Sequence, residues 1–313
     1  MSQNTSSVMM IRPVRFDLNE QTTASNAFQQ TTRTETGDVI QQRALAEFDG
    51  LVEALRRVGV EVIVFEDTPE PVTPDSIFPN NWVSFHADGR VFLYPMQALN
   101  RRLERRTDIL DTLQHTYRFD ITQVVDISAE AEAQNLFLEG TGSMILDRAN
   151  ALVYACLSPR TNESLLRQWC HLANMTPVVF DAADQHGLAI YHTNVVMCLG
   201  DTFAVICLDA IPKSSERENV CQSLQSTGHE VIAISLEQMN HFAGNMLQLQ
   251  NEQGEKVLVM SSQAFNALNT EQVQILQKHQ QHLVHAPIDT IERYGGGSAR
   301  CMIAEVFLPK TNA

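Results

Sequence analysis

The 313-residue chain has six cysteines and no CxxC pair. Cys156, Cys170, Cys198, Cys207, Cys221 and Cys301 lie mostly in apolar runs. That pattern excludes a zinc ribbon and a disulfide frame, and it reads as reduced thiols in a cytoplasmic protein. Basic charge is scarce, with 22 Lys and Arg against 37 Asp and Glu and a net charge of −15. Nucleic acid needs a basic face, so it is excluded as a partner. No run approaches the roughly 18 apolar residues of a membrane span, and the opening MSQNTSSVMMIRP is too short in apolar residues for a secretory signal. No Pro- or Gly-rich linker divides the chain, so one domain over residues 1–313 is predicted. Nothing in the pattern calls for a metal or an organic cofactor.

What the chain does have is a repeat. After a strand at Val8–Ile11, a polar loop, a helix near Val39–Val58 and a strand at Glu61–Phe65, one unit recurs: hairpin, helix, strand. The hairpins begin at Asn81, Gly142, Thr193 and Gly244, and turns such as Asp88-Gly89 or Gly200-Asp201 divide them. Helices are predicted over Arg102–Gln114, Asn162–Ala173, Ser214–Ser226 and Thr270–Gln277. The period is roughly 50 to 60 residues, a length expected of ring-like arrays. The N-terminal segment supplies most of a fifth unit. An apolar run from Met302 to Leu308 is predicted as the strand that completes it, joining the two chain ends.

Equivalent positions in such a ring face one axis. The residue at the start of each first hairpin strand is Asn81, Glu139, His192, Ala243-Gly244 or Cys301, each one period from the last. Alone, Cys301 reads as a small core residue and His192 as a surface or core histidine. Together at one phase, Glu139, His192, Asn194 and Cys301 converge on one axial pocket. The residue types suit nucleophilic catalysis: a thiolate attacks, an imidazole moves the proton, and a carboxylate holds the imidazole. Gly295, Gly296 and Gly297 before Cys301 let backbone approach a substrate.

With these residues in place, the chain resembles the guanidino-group-modifying superfamily, the penteins. DSIFPNN (Asp75–Asn81), NRRLE (Asn100–Glu104), LEGTGS around Glu139, SPRTN (Ser158–Asn162), HTN at His192 and GGGSARCM around Cys301 are similar to its motifs. The resemblance implies an α/β fold, a five-bladed propeller of ββαβ units around a pseudo-fivefold axis. It implies Cys301 as nucleophile, His192 as its proton-transfer partner and Glu139 as the acid orienting His192. Arg101 and Arg160 would hold a substrate α-carboxylate, and Asp75 its α-amino group. The superfamily's usual acids for a guanidinium are replaced here by Asn80, Asn81 and Asn194. Amides match a neutral ureido group, which both donates and accepts.

The expected function is therefore hydrolysis of the ureido group of citrulline to ornithine, ammonia and carbon dioxide, as in citrulline-utilisation hydrolases. A thiocarbamate on Cys301 would be the intermediate. The alternatives are a dihydrolase or deiminase of arginine or an N-substituted arginine on the same residues, and a binding protein that keeps the pocket without chemistry. The expected partner is a small amino acid. The sequence leaves homo-oligomerisation open.

Overall fold

The structure is a computed structural model that describes residues 2–311. Five three-stranded sheets account for its strands. The first joins β1 (Ser7–Arg12), β2 (Glu61–Glu66) and the last strand, β15 (Ala304–Glu305). The others are β3 (Val83–Phe85), β4 (Arg90–Leu93) and β5 (Gln123–Asp126); β6 (Ile145–Asp147), β7 (Leu152–Leu157) and β8 (Thr176–Asp181); β9 (Met197–Leu199), β10 (Phe203–Ile206) and β11 (Glu230–Ala233); and β12 (Leu247–Gln250), β13 (Lys256–Ser261) and β14 (His282–Ala286). In every sheet the middle strand runs antiparallel to one neighbour and parallel to the other. The two chain ends meet as expected, with Val8 opposite Glu305 and Met9 opposite Ala304.

The parallel pair needs a crossover, and helices supply it. Helix Gly37–Arg57 buries Ile40, Ala44, Phe48, Leu51 and Leu55, which recur at three- and four-residue intervals on one face. Ile40, Phe48, Leu51 and Leu55 each contribute about 1.5–3 kcal/mol by leaving water. Helix Glu163–Ala173 starts where Asn162 accepts the Leu165 N–H at 3.1 Å, a cap worth about 1 kcal/mol. It ends at Asn174 in the left-handed region. Cores run between neighbouring sheets. One cluster joins β1, β2 and Gly37–Arg57 to β12–β14, and a second joins β1 and β2 to β3 and β4.

Three expectations need correction. The predicted helix Arg102–Gln114 is two pieces, a 3-10 turn Asn100–Glu104 and a helix Thr107–His115. The chain is extended at Arg105 and Arg106, where Arg105 reaches back to the Tyr94 carbonyl and Glu132. The predicted strand Met302–Leu308 is paired only at Ala304–Glu305. The first strand of each hairpin also begins later than the apolar pattern suggests. The residues before it fold into a single turn instead: Pro79–Asn81, Gly140–Ser143, Thr193–Val196, 242–245 and 298–301. Short helices over Ser128–Ala133, Leu236–Asn240, Ser262–Ala267 and Asp289–Gly295 also went unpredicted, because two turns of mostly polar sequence show no clear period.

Candidate active site

Those five turns place the site. A strand would send alternate side chains to opposite faces, whereas one turn gathers consecutive side chains at one end of each sheet. Asp75, Asn81, Arg101, Arg160, His192 and Cys301 line one narrow cavity, with Asn26, Phe78, Tyr191 and Gly295–Gly297. A larger open groove lies elsewhere, between Ser235 and Asp289. It contains no thiol, and its His241 is bonded to the Glu237 carbonyl at 2.9 Å. Size alone therefore does not locate the chemistry.

Glu139 stands directly behind His192, with Oε2 2.8 Å from Nε2. Its Oε1 accepts the Gln97 backbone N–H at 2.9 Å, and Arg160 Nη1 lies 3.6 Å from Oε2. Burial alone would raise the Glu139 pKa, but Arg160 and His192 outweigh it and hold the carboxyl at about 2. Burial pushes His192 down to about 4, against the pull of Glu139. At neutral pH the pair is a carboxylate and a neutral imidazole. The Nε2 proton points at the carboxylate, so Nδ1 is the nitrogen with a free lone pair. Gly142 makes room for that edge of the ring. A side chain there would meet His192 Nδ1 at 2.7 Å and run into Asn81 Nδ2.

The Cys301 sulfur receives Asn194 Nδ2 at 3.3 Å and Asn245 Nδ2 at 3.4 Å. Helix Asp289–Gly295 ends on Gly296, whose φ of +62° favours glycine and whose missing side chain leaves space for Asn26 and Gln29. The N-terminal loop closes over this turn. Asn26 Nδ2 donates to the Gly296 carbonyl at 3.2 Å and Gln29 Nε2 to the Tyr294 carbonyl at 2.8 Å.

The ionic residues are unequally committed. Arg101 is buried, with Nε and Nη2 each 2.9 Å from Glu104 and Nη1 2.8 Å from Asn81 Oδ1. Its fork is therefore already filled, which counts against Arg101 as a clamp for a substrate carboxylate. Burial lifts Glu104 to about 8 despite this pairing. Arg160 stacks over the Tyr191 ring at 5.0 Å and donates to Ser25 Oγ at 2.8 Å. Asp75 accepts from Asn19 Nδ2 at 2.7 Å through Oδ2, and its Oδ1 has no partner. Burial raises the Asp75 pKa, and nearby Arg101 offsets only part of that.

Asn81 Nδ2 and Asn194 Oδ1 are likewise buried without partners. The cavity thus presents a free acceptor on Asp75 and a free donor on Asn81, costly to bury unless a ligand meets them, whereas Asn194, expected in the pocket, touches the Cys301 sulfur but does not line the cavity. Asn80 departs from expectation. It is buried with both amide atoms unpartnered, but it does not line the cavity. Asn245, Ser25, Tyr191 and Glu104 are site residues that the sequence did not single out. Asn245 sits just after the Ala243-Gly244 mark, so the phase count reached its turn but not its side chain. Among the described residues, no group of three or more His, Cys, Asp or Glu is placed to hold a metal.

A family model described as N,N dimethylarginine dimethylhydrolase, eukaryotic, matches residues 12–308. No curated protein matches the chain. Among solved structures, the N-terminal domain of ArgZ bound to product, an arginine dihydrolase from the ornithine–ammonia cycle in cyanobacteria, aligns at 16% identity with a TM-score of 0.73. The alignment covers 97% of this chain and 99% of that one. The chain spans 41% of the whole ArgZ protein. A dimethylarginine hydrolase (DDAH) from Pseudomonas aeruginosa, complexed with citrulline, aligns at 14% identity with a TM-score of 0.65, covering 96% of this chain and 99% of that one. At such identities the solved structures speak for the fold, whereas the family model spans nearly the whole sequence. The chain belongs to the N,N-dimethylarginine dimethylhydrolase family of the pentein guanidino-group-modifying superfamily.

Proposed function

We propose that the protein is a cysteine hydrolase that cleaves a C–N bond at the guanidino carbon of arginine or an N-substituted arginine. The observation that carries this reading is the convergence of Cys301 and His192, the latter backed by ionised Glu139, on one cavity that also presents Asp75 and Arg160. Both signs of charge suit the two ends of an amino acid. The family match supports a guanidino substrate. The same reading takes residues 1–313 as one domain whose five sheets close into a five-bladed propeller, supported by the pairing of the chain ends. Six unpaired cysteines support a cytoplasmic location.

In the proposed reaction the Cys301 thiolate attacks the carbon of the protonated guanidinium, a C–S bond forms, and His192 Nδ1 takes an N–H proton from the substrate. The C–N bond breaks, and the leaving ammonia or amine takes a proton from His192. Water then loses a proton to His192 and attacks the same carbon. The C–S bond breaks and the thiolate returns, leaving citrulline. A second round on the ureido carbon would release ornithine, ammonia and carbon dioxide. Glu139 stabilises the imidazolium whenever His192 carries the extra proton.

One observation favours citrulline itself as the substrate. The amide that touches the thiol, Asn194, and the one that meets the His192 edge at Gly142, Asn81, each carry an unpartnered atom, Oδ1 and Nδ2, which together match a neutral urea that donates and accepts. Incubation with arginine, monomethylarginine and citrulline, with ammonia, amine and ornithine counted, separates these readings. Consumption of arginine or monomethylarginine supports the first, and consumption of citrulline alone supports the second. A panel with no turnover at all refutes both.

A further inference from the structure

The fourth unit also reaches the sulfur. Asn245 closes its turn with its N–H on the Phe242 carbonyl at 2.8 Å, and it is fully buried. Its amide can face only one way. Oδ1 accepts the Arg300 backbone N–H at 3.0 Å, a place no NH2 group can take. Nδ2 therefore points at the Asn194 carbonyl, 2.7 Å away, and at Cys301 Sγ, 3.4 Å away. Asn194 Nδ2 approaches the same sulfur at 3.3 Å. The acceptor within reach of a thiol proton is Asn245 Oδ1 at 3.7 Å, and the Arg300 N–H already engages it.

This geometry serves a thiolate better than a thiol. A neutral sulfur is a weak acceptor, whereas a thiolate accepts strongly, so donors aimed at it favour the charged form. Other sources of positive charge are committed elsewhere. His192 Nε2 is bonded to Glu139, and burial keeps the ring neutral at ordinary pH. The Arg300 guanidinium is held by Glu305 at 2.8 Å and the Ile303 carbonyl at 2.9 Å, and of the two cations in the cavity Arg101 is bonded to Glu104 and Asn81 and Arg160 faces Glu139 at 3.6 Å. We propose that Asn245, paired with Asn194, is a catalytic residue that stabilises the Cys301 thiolate through a two-amide cradle. The proposal rests on Cys301 being the nucleophile.

The test is a pH titration of thiolate ultraviolet absorbance, taken as the difference between each protein and its Cys301→Ser counterpart. It needs no substrate, so it reads the cradle even if the proposed reaction fails, whereas an active Cys301→Ser protein would refute the reaction alone. Asn245→Ala should raise the titration midpoint by about one pH unit, the gap between a charged and a neutral hydrogen bond. Activity at neutral pH should fall about tenfold and recover in alkali. Asn245→Asp keeps the size and an oxygen for Arg300 but turns negative charge on the sulfur, so its midpoint should rise further. If the alanine variant fails to fold, the near-isosteric Asp variant decides the question. Midpoints unchanged within about 0.3 units would overturn the proposal.

Discussion

Replacing Glu139 with glutamine tests the coupling between carboxylate and imidazole. The carboxylate Oε1 accepts the Gln97 backbone N–H at 2.9 Å. A glutamine would keep its oxygen there and turn its NH2 group toward His192 Nε2, where Oε2 now accepts at 2.8 Å. Two donors would then face each other unless the imidazole moved its proton to Nδ1, the tautomer unable to accept a proton at the reacting edge. The charged bond contributes about 1.5–3 kcal/mol and a neutral one about 0.5–1.5. The difference alone is about tenfold in rate at about 1.4 kcal/mol per decade. Arg160, 3.6 Å away, also loses its countercharge, and breaking a buried pair costs about 3–5 kcal/mol. The fall in kcat is therefore expected between about tenfold and about thousandfold, with a lower melting temperature. Steady-state kinetics on whichever substrate is consumed, with a thermal melt as control, measures both. A variant with kcat within threefold of the native protein would refute the tautomer argument.

Three other outcomes are expected. Gly142→Ala should drive a methyl group into the His192 ring and Asn81, destabilising the fold by about 1–3 kcal/mol and lowering kcat. A melt and a rate measurement check it, and normal values in both would contradict the close approach. Arg160→Lys keeps the charge but loses the planar fork over Tyr191. It should raise KM at least about tenfold, with a smaller effect on kcat, and an unchanged KM would remove Arg160 from substrate binding. Glu292→Gln probes a buried carboxyl that accepts from Ser298 Oγ at 2.5 Å, on the turn that carries Cys301. Burial, aided by Asp289 and Glu47, raises its pKa from 4.5 to about 7. The native state therefore keeps a proton that the unfolded chain releases above pH 4.5, so this group costs stability as pH rises from 4.5 to about 7. Melts across that range should show the glutamine variant gaining on the native protein and then levelling off. A constant gap would show that Glu292 ionises normally.

Much of the fold was legible because each unit carries local signals. Alternating apolar strands, Asp-Gly turns and the apolar face of Gly37–Arg57 all follow from short-range periodicity. Helix Ser214–Ser226 has the bounds the pattern suggests. The shared phase of Glu139, His192 and Cys301 was also visible, since one period separates each from the next unit's mark. What the sequence hid were features set by tertiary contact. The one-turn entries to the hairpins are packed against one another by long-range contacts, such as Asn245 Nδ2 on the Asn194 carbonyl, and nothing in local propensity distinguishes them from strand starts. The filling of the Arg101 fork is completed by Asn81 from the turn Pro79–Asn81, a contact that no local pattern shows. Asn245 was hidden because alignment on Ala243-Gly244 marks a backbone position, whereas the group that reaches the sulfur is one residue further on.

The most direct test of the central claim is mass spectrometry of the protein quenched during turnover of arginine, monomethylarginine and citrulline in turn. The account predicts a covalent adduct on the peptide carrying Cys301 with at least one of the three, absent when Cys301 is replaced by serine. Steady turnover without any adduct, and with the Cys301→Ser protein still active, would contradict it.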